Sequence, residues 1–222
     1  MTTKIRILSV NIGSPRTIVQ GGRKVTTAII KTARLNRVLV THTGLADDSI
    51  CDSRYHGGPD QAVYIYRQED YKWWENELDR EITPGTFGEN LTISGIPHQG
   101  LYIGDVIKFP DLELQITAPR IPCATLAATM GDPGFVKRFL RAERPGFYCR
   151  VLKTGSIEVA DAGDLGRYRG QSILTTTFYN DVQRKLNREE LEAYLALPID
   201  SRSRTDFEKS LASLLAEEKI NE

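Results

Sequence analysis

The chain has 222 residues, and its 29 lysines and arginines are balanced by 29 aspartates and glutamates. A formal net charge of zero excludes the strongly basic class of chains that bind nucleic acids or anionic membranes. Hydrophobic residues make up 40% of the chain, which is typical of a globular domain with an appendage, and no run approaches the roughly 20 apolar residues of a membrane helix.

Cysteine and histidine usage narrows the class further. The chain contains three cysteines with no Cys-x-x-Cys pair, which argues against a disulfide framework and a structural zinc site. Its three histidines, His42, His56 and His98, show no spacing typical of metal ligands. Because the first residues lack the apolar stretch of a secretion signal, the expected location is the reducing cytoplasm.

The first half of the chain is dominated by short apolar runs rich in β-branched residues, which are typical of strands. A helix is predicted after them at residues 68–78, because Tyr71, Trp74 and Leu78 recur at three- and four-residue spacing on one face. We expect its tryptophans to pack in the core. Strands are predicted at residues 4–10, 25–31, 37–43 and 62–66.

The second half adds further strands before the pattern becomes helical. Apolar spacing predicts helices at residues 184–196 and 205–219, and Asn187 followed by Glu190 has the form of a capping box. A polar stretch at residues 161–171 separates the β-rich body from this helical tail. The elements predicted before that stretch are a hairpin of residues 101–109 and 112–117, a helix at 134–142, and a strand pair at 146–152 and 156–160.

Two glycine-containing loops have the composition of a binding site. The first is His-Gly-Gly-Pro-Asp at residues 56–60, where glycines permit a positive φ or the close approach of a ligand. The second is Gly-Thr-Phe-Gly-Glu-Asn at residues 85–90, whose N–H groups can form a nest for an anion. The ordinary alternatives are a tight turn with a hydrogen-bonded His56, and a loop in which Asn90 caps its own backbone.

A third segment places a cysteine at the end of a strand. It reads Pro-Arg-Ile-Pro-Cys at residues 119–123, and its two prolines hold the backbone extended. Arg120 favours the thiolate of Cys123, which is the form that attacks electrophiles or binds soft metals. The alternative is a buried, inert thiol, as we expect for Cys149 within its strand.

Taken together, these segments resemble MOSC-domain proteins, named after the C-terminal part of molybdenum cofactor sulfurases, and within them the bacterial YiiM group. The matching motifs occur in the family's order over most of residues 20–152. One departure is Ala46-Asp47-Asp48, where a glycine-acidic-glycine turn is expected. The matching segments are residues 27–31, 56–63, 85–91, 102–105, 119–123 and 146–151.

This resemblance implies a fold, a cofactor and a set of site residues. The fold is mainly β with helical additions: a MOSC β-barrel-like body at residues 1–168, followed by a three-helix-like C-terminal domain at residues 169–222. The implied cofactor is molybdopterin with molybdenum, with Cys123 as the metal ligand, and the implied catalytic residues are Cys123, His56 and Asp60. The residues expected to bind the cofactor are Lys24, Thr27, Lys31, His56, Gly57, Gly58, Asn90, Arg120 and Cys123.

The implied activity is the reduction of N-hydroxylated bases and hydroxylamine-type compounds. The chain has too few cysteines for a Cys₄ iron–sulfur cluster and carries no flavin or haem signature, so electrons are expected from a separate reductase. One alternative is a non-catalytic module that carries the molybdenum cofactor or sulfur. In a third interpretation, the apolar stripe of the helical tail forms a homodimer or recruits the electron-transfer partner.

Overall fold

The computed structural model describes residues 3–96 and 100–220, so His98 lies outside the described residues. The helices, beside a 3₁₀ turn at Pro59–Gln61, are α1 (Gln68–Leu78), α2 (Ala124–Met130), α3 (Phe135–Ala142), α4 (Thr175–Asp181), α5 (Arg188–Leu195) and α6 (Ser201–Ile220). The strands are β1 (Thr3–Gly13), β2 (Arg16–Gln20), β3 (Arg23–Thr27), β4 (Lys31–Arg34), β5 (Val38–Thr41), β6 (Gly44–Leu45), β7 (Val63–Arg67), β8 (Leu91–Ser94), β9 (Val106–Lys108), β10 (Glu113–Pro119), β11 (Phe147–Lys153), β12 (Gly155–Ile157) and β13 (Ala162–Gly166).

Seven strands form a closed barrel, which confirms the predicted fold class. They follow the order β13-β9-β10-β11-β7-β8-β1, and β1 closes the ring by pairing with β13. Neighbouring strands are antiparallel except for β7 and β8, which run parallel. Because the ring is closed, the barrel has no exposed sheet edge among the described residues. The strand β4 pairs with β1 outside the ring, and β2 and β3 form a separate two-stranded sheet.

Two apolar clusters hold the body together. Alternating strand residues such as Ile5 and Ile7 fill the barrel, as expected when every second side chain faces inward. The second cluster is aromatic and packs α1 and α3 against the barrel, with Trp74 fully buried and 5.2 Å from the ring of Phe135. The predicted core packing is therefore confirmed for Trp74, whereas Trp73 is only partly buried against the same cluster.

The three tail helices share the barrel's apolar cluster. Phe178, Tyr194 and Phe207 pack as a ring triad within that cluster. The capping box at Asn187 is confirmed, and α5 starts directly after it. The division of the chain at residue 168 stays a prediction.

Four expectations from the sequence are wrong in detail. The predicted strand at residues 25–31 is interrupted, since β3 ends at Thr27 and β4 begins at Lys31. The strand pair at residues 146–152 and 156–160 does not form, because both edges of β11 are taken by β10 and β7, and β12 pairs with β5 instead. The polar stretch at 161–171 contains β13, which closes the barrel. The last helix begins at Ser201, because the carboxylate of Asp200 accepts from two N–H groups of its first turn.

Within the described residues, no helix combines the length and the apolar content needed to span a membrane.

Candidate functional site

A cavity of about 940 Å³ brings the sequence motifs together. Its walls come from the end of the β2–β3 hairpin, the loop at residues 48–57, the Asn90 loop and the start of α2. This volume lies near the upper end of the range for small-molecule sites, so the cavity can hold a bulky organic ligand. Of the site residues predicted from the sequence, the cavity wall contains Thr27, Lys31, His56, Gly57, Asn90, Arg120 and Cys123.

Cys123 lies at the cavity wall immediately before α2. Burial by itself would raise the pKa of this thiol, but a hydrogen bond with the His56 side chain, the charge of Arg120 and the N–H of Leu126 lower it from 9.0 to about 6. The start of a helix also favours a negative charge. The thiolate is therefore the dominant form at neutral pH, unlike the buried Cys149, whose pKa is raised by burial.

Arg120 places a buried positive charge beside this thiol. It is only 3% exposed, and its guanidinium carbon lies 5.3 Å from the ring centre of Tyr64 and 5.8 Å from that of Phe139. Among the described residues no carboxylate pairs with it, and its Nη1 atom has no hydrogen-bond partner. A buried cation without a carboxylate is costly, so this position favours an anion, which the Cys123 thiolate supplies in part.

Lys31, by contrast, is already paired. Its Nζ atom lies 2.5 and 2.6 Å from the two carboxylate oxygens of Asp48, and both side chains are 8% exposed. The same carboxylate accepts from the N–H of Gly13 at 2.7 Å and from Nδ2 of Asn90 at 2.8 Å. The charge of Lys31 is therefore neutralised within the protein.

The predicted pterin contact Asn90 joins two barrel strands. The Oδ1 atom of Asn90 accepts from the backbone N–H of Tyr64 at 3.1 Å, and the backbone N–H of Asn90 donates to the carbonyl oxygen of Tyr64 at 2.8 Å. Because its Nδ2 atom is bound to Asp48, the amide is used largely by the protein itself. Asn90 thus shapes the cavity wall, as an element of the β7–β8 connection.

The loop at residues 85–90 folds around its own carboxylate. The N–H of Gly85 and the hydroxyl of Thr92 donate to Oε1 of Glu89 at 2.7 and 2.8 Å, and the hydroxyl of Tyr71 donates to the same atom. Glu89 is fully buried, and burial raises the pKa of its carboxyl group. The N–H of Gly85 therefore serves an internal partner, while Gly88 lines the cavity.

The two glycines of the His56 loop adopt backbone conformations that favour glycine. Gly57 has a φ of 72°, and a Cβ atom there would lie 2.2 Å from Cδ1 of Ile50. Gly58 has a φ of 91° and precedes the 3₁₀ turn, where a Cβ atom would meet no neighbour within 4 Å. Gly57 lines the cavity, whereas the wall does not include Gly58.

Two further predicted site residues, Asp60 and Lys24, also lie away from the cavity wall. The carboxylate of Asp60 lies 2.9 Å from Nε of Arg150 and accepts from the N–H of Ser201 at 3.0 Å. Asp60 therefore connects the barrel to the start of α6. Lys24 is an exposed residue on β3, in the hairpin that borders the cavity.

Sequence reasoning missed Asp48, which organises one wall of the site. The sequence did point to this position, because Ala46-Asp47-Asp48 departs from the expected glycine-acidic-glycine turn. The glycines are replaced there, but an acidic residue is still present. Asp47 adopts a φ of 64°, a left-handed conformation that aspartate tolerates better than most residues. Asp47 thus fits a left-handed backbone position that commonly takes glycine, and the next carboxylate reaches Lys31 and Asn90.

The chain belongs to the MOSC-domain family: the family model described as "MOSC domain" matches residues 52–163. It is 34% identical over 176 residues to "Uncharacterized protein YflK" of Bacillus subtilis (strain 168), covering 79% of each chain. It is also 34% identical over 155 residues to a protein named "Reductase" from Gibberella moniliformis (strain M3125 / FGSC 7600). This match covers 68% of our chain but only 27% of that much longer protein.

A solved structure gives the same result. The crystal structure of YiiM from Geobacillus stearothermophilus superimposes with a TM-score of 0.77 at 28% identity, covering 93% of our chain and 99% of that one. The resemblance to the YiiM group is therefore confirmed.

Proposed function

We propose that the chain binds the molybdenum cofactor in the cavity, with the Cys123 sulfur as the protein ligand to molybdenum. The observation that carries this proposal is a thiol with a pKa of about 6 at the wall of a large cavity. Thiolate is a soft ligand that suits a metal whose other ligands are sulfur and oxygen. Within the described residues, no three His, Cys, Asp or Glu side chains are grouped to hold a metal, so a cofactor would have to complete the coordination.

The charges in the cavity fit an anionic cofactor. Lys31 is neutralised by Asp48, so its charge contributes little to binding an anion. Arg120 has no carboxylate partner among the described residues, and its Nη1 atom is an unused donor. We therefore assign Arg120 as the main cationic contact of the cofactor, with Thr27 and the glycine backbone at residues 57 and 88 as neutral contacts.

The activity that we propose is the reduction of N-hydroxylated bases and related hydroxylamine-type compounds. The bound cofactor supplies the redox chemistry. The protein would hold the substrate beside Cys123, where cleavage of the N–O bond to give an amine and water takes two electrons from the separate reductase and two protons. His56, which lies in the same cavity wall, is placed to supply one of these protons, and solvent supplies the other. The name "Reductase" of the Gibberella moniliformis relative supports a redox role for this kind of domain.

Metal and pterin analysis tests the cofactor. The full chain is produced in a host that makes the cofactor and in one that does not, and molybdenum is measured by mass spectrometry beside pterin fluorescence. We expect molybdenum and pterin to co-purify with the wild type only in the first host, and Cys123→Ala to lose molybdenum. Cys51→Ser is the matched control, because Cys51 is an exposed cysteine that also lines the cavity.

Absence of molybdenum and pterin from both wild type and Cys51→Ser in the competent host would contradict cofactor binding. A Cys123→Ala protein with wild-type molybdenum content would contradict the ligand assignment alone.

The alternative, a non-catalytic carrier of cofactor or sulfur, needs the same residues. The two functions are separated by turnover of a hydroxylamine substrate with an artificial electron donor. We expect turnover with wild type that disappears in Cys123→Ser; bound cofactor without turnover would instead indicate a carrier. The separate electron-donating reductase, the homodimer and the cytoplasmic location stay predictions.

A further inference from the structure

The loop that carries His56 is held by the helical tail. Arg202, in the first turn of α6, donates from Nη2 to the carbonyl oxygens of Ser53 and His56, each at 3.0 Å. Its Nη1 atom donates to Oε1 of Gln61 at 2.6 Å. One guanidinium therefore binds the loop at three points that span nine residues of the chain.

Neighbouring contacts fix the position of Arg202 itself. The carboxylate of Asp200 accepts from the N–H of Arg202 at 3.2 Å and from Nε2 of Gln61 at the same distance. The N–H of Ser201 donates to the carboxylate of Asp60, in the 3₁₀ turn at the end of the segment 53–61. The start of α6 and the end of the His56 loop are thus joined from both sides.

Residues 51–55 have little else to hold them, whereas the 3₁₀ turn at residues 59–61 is also attached to the barrel through Asp60 and Arg150. Cys51, Ser53, Arg54 and Tyr55 are exposed, so few apolar contacts are available to order this segment. The N–H of His56 donates to the carbonyl oxygen of residue 52 at 3.1 Å, which closes a local turn without attaching it to the barrel. A planar guanidinium that binds several oxygens at once is well suited to fix such a backbone.

We propose that Arg202 is a positioning residue, which holds the loop at residues 53–61 so that His56 keeps its place in the cavity wall that also contains Cys123. The helical tail is then part of the site, because the first turn of α6 determines the position of one wall of the cavity. This inference concerns the cofactor-free chain and does not depend on the proposed function.

The competing explanation is that Arg202 only attaches the tail to the barrel. Arg204, two residues later in α6, provides the comparison that separates the two. It also donates to two carbonyl oxygens, those of Leu195 and Leu197 at 2.8 and 2.7 Å, but both lie within the tail. Loss of Arg204 therefore weakens the tail without releasing the His56 loop.

Disulfide trapping measures the distance that matters. In the full-length, cofactor-free chain, His56→Cys is introduced together with Cys51→Ser, and oxidised glutathione drives formation of the bond between positions 56 and 123. We expect Arg202→Ala to slow this cross-link by about tenfold or more, since one hydrogen bond from a charged group corresponds to at least that factor. Arg202→Lys should give an intermediate rate, and Arg204→Ala should leave the rate unchanged.

Hydrogen exchange provides a second measurement with His56 in place. Arg202→Ala should raise the exchange rate of amides at residues 53–57 by about tenfold, whereas Arg204→Ala should raise rates only within α5 and α6. If Arg202→Ala does not fold, the comparison is made with Arg202→Lys. The proposal would be overturned if the Arg202 variants cross-linked and exchanged at the same rates as the protein with Arg202 intact. It would also be overturned if Arg204→Ala slowed the cross-link as much as Arg202→Ala does.

Discussion

The acidity of Cys123 gives the most direct test of the site's electrostatics. With a pKa of about 6, this thiol is about 90% thiolate at pH 7, whereas a thiol with the ordinary value of 9.0 is about 1% thiolate at that pH. Alkylation proceeds through the thiolate. The rate should therefore rise with pH to a half-maximum near pH 6 and reach a plateau above pH 7.

The assay uses cofactor-free protein with Cys51→Ser, so that the exposed thiol does not react. Cys149 stays silent, because it is fully buried and burial raises its pKa. Iodoacetamide incorporation at Cys123 is followed by mass spectrometry between pH 4.5 and pH 10. This range covers both the lowered pKa of about 6 and the ordinary thiol pKa of about 9. The resulting profile reports a single thiol.

The contribution of His56 is then removed. Burial continues to raise the pKa of Cys123 in His56→Ala, while its hydrogen bond with His56, the largest of the lowering effects, is lost. We expect the midpoint to move upward by at least about one unit. The midpoint is the quantity to compare, because the intrinsic nucleophilicity of a thiolate also increases with its pKa. A parental midpoint near 9, or an unchanged midpoint in His56→Ala, would refute this account of the site.

Two further predictions concern stability and are measured by urea unfolding. Lys31→Met should cost about 3–5 kcal/mol, because it leaves the buried carboxylate of Asp48 without its cation. Adding Asp48→Asn should recover part of that loss, because it removes the unpaired charge and keeps an oxygen that can accept from the N–H of Gly13. An equal loss in the single and double variants would contradict this. Gly85→Ala should destabilise more than Gly21→Ala, since both have a positive φ but only at Gly85 would a Cβ atom lie 2.7 Å from a backbone oxygen, that of Lys31; equal effects would show that the backbone relaxes there.

Much of the fold could be predicted because its signals are local. The hairpin around Pro110-Asp111 forms as expected, with Lys108 opposite Glu113, and the Asn187 capping box starts α5. Local signals fail where the information is non-local. The strand β13 contains two glycines and an aspartate in five residues, so its composition resembles a linker, and only its two partners in the closed barrel make it a strand.

The site was predictable in its residues but not in their partners. An anionic heterocycle can be bound by a lysine, an asparagine or an arginine. The sequence alone does not show which of these side chains is available for binding. The structure separates them by what each already binds: Lys31 and Asn90 are both attached to Asp48, while Arg120 has no carboxylate partner among the described residues. Pairing over 17 and 42 residues of chain is beyond any local pattern.

The convergence of the motifs also depends on Tyr64, a residue of β7 that belongs to none of them. The N–H of Tyr64 donates to Oδ1 of Asn90 in the second motif, and the backbone N–H of Asn90 donates to the carbonyl oxygen of Tyr64. The Tyr64 ring lies under the guanidinium of Arg120 from the third motif. Its hydroxyl donates to the carbonyl oxygen of Pro145 at 2.8 Å, which fixes the ring. In the sequence Tyr64 is an ordinary strand residue, and its role follows only from the parallel pairing of β7 with β8. The barrel topology, more than any single motif, therefore assembles this cavity.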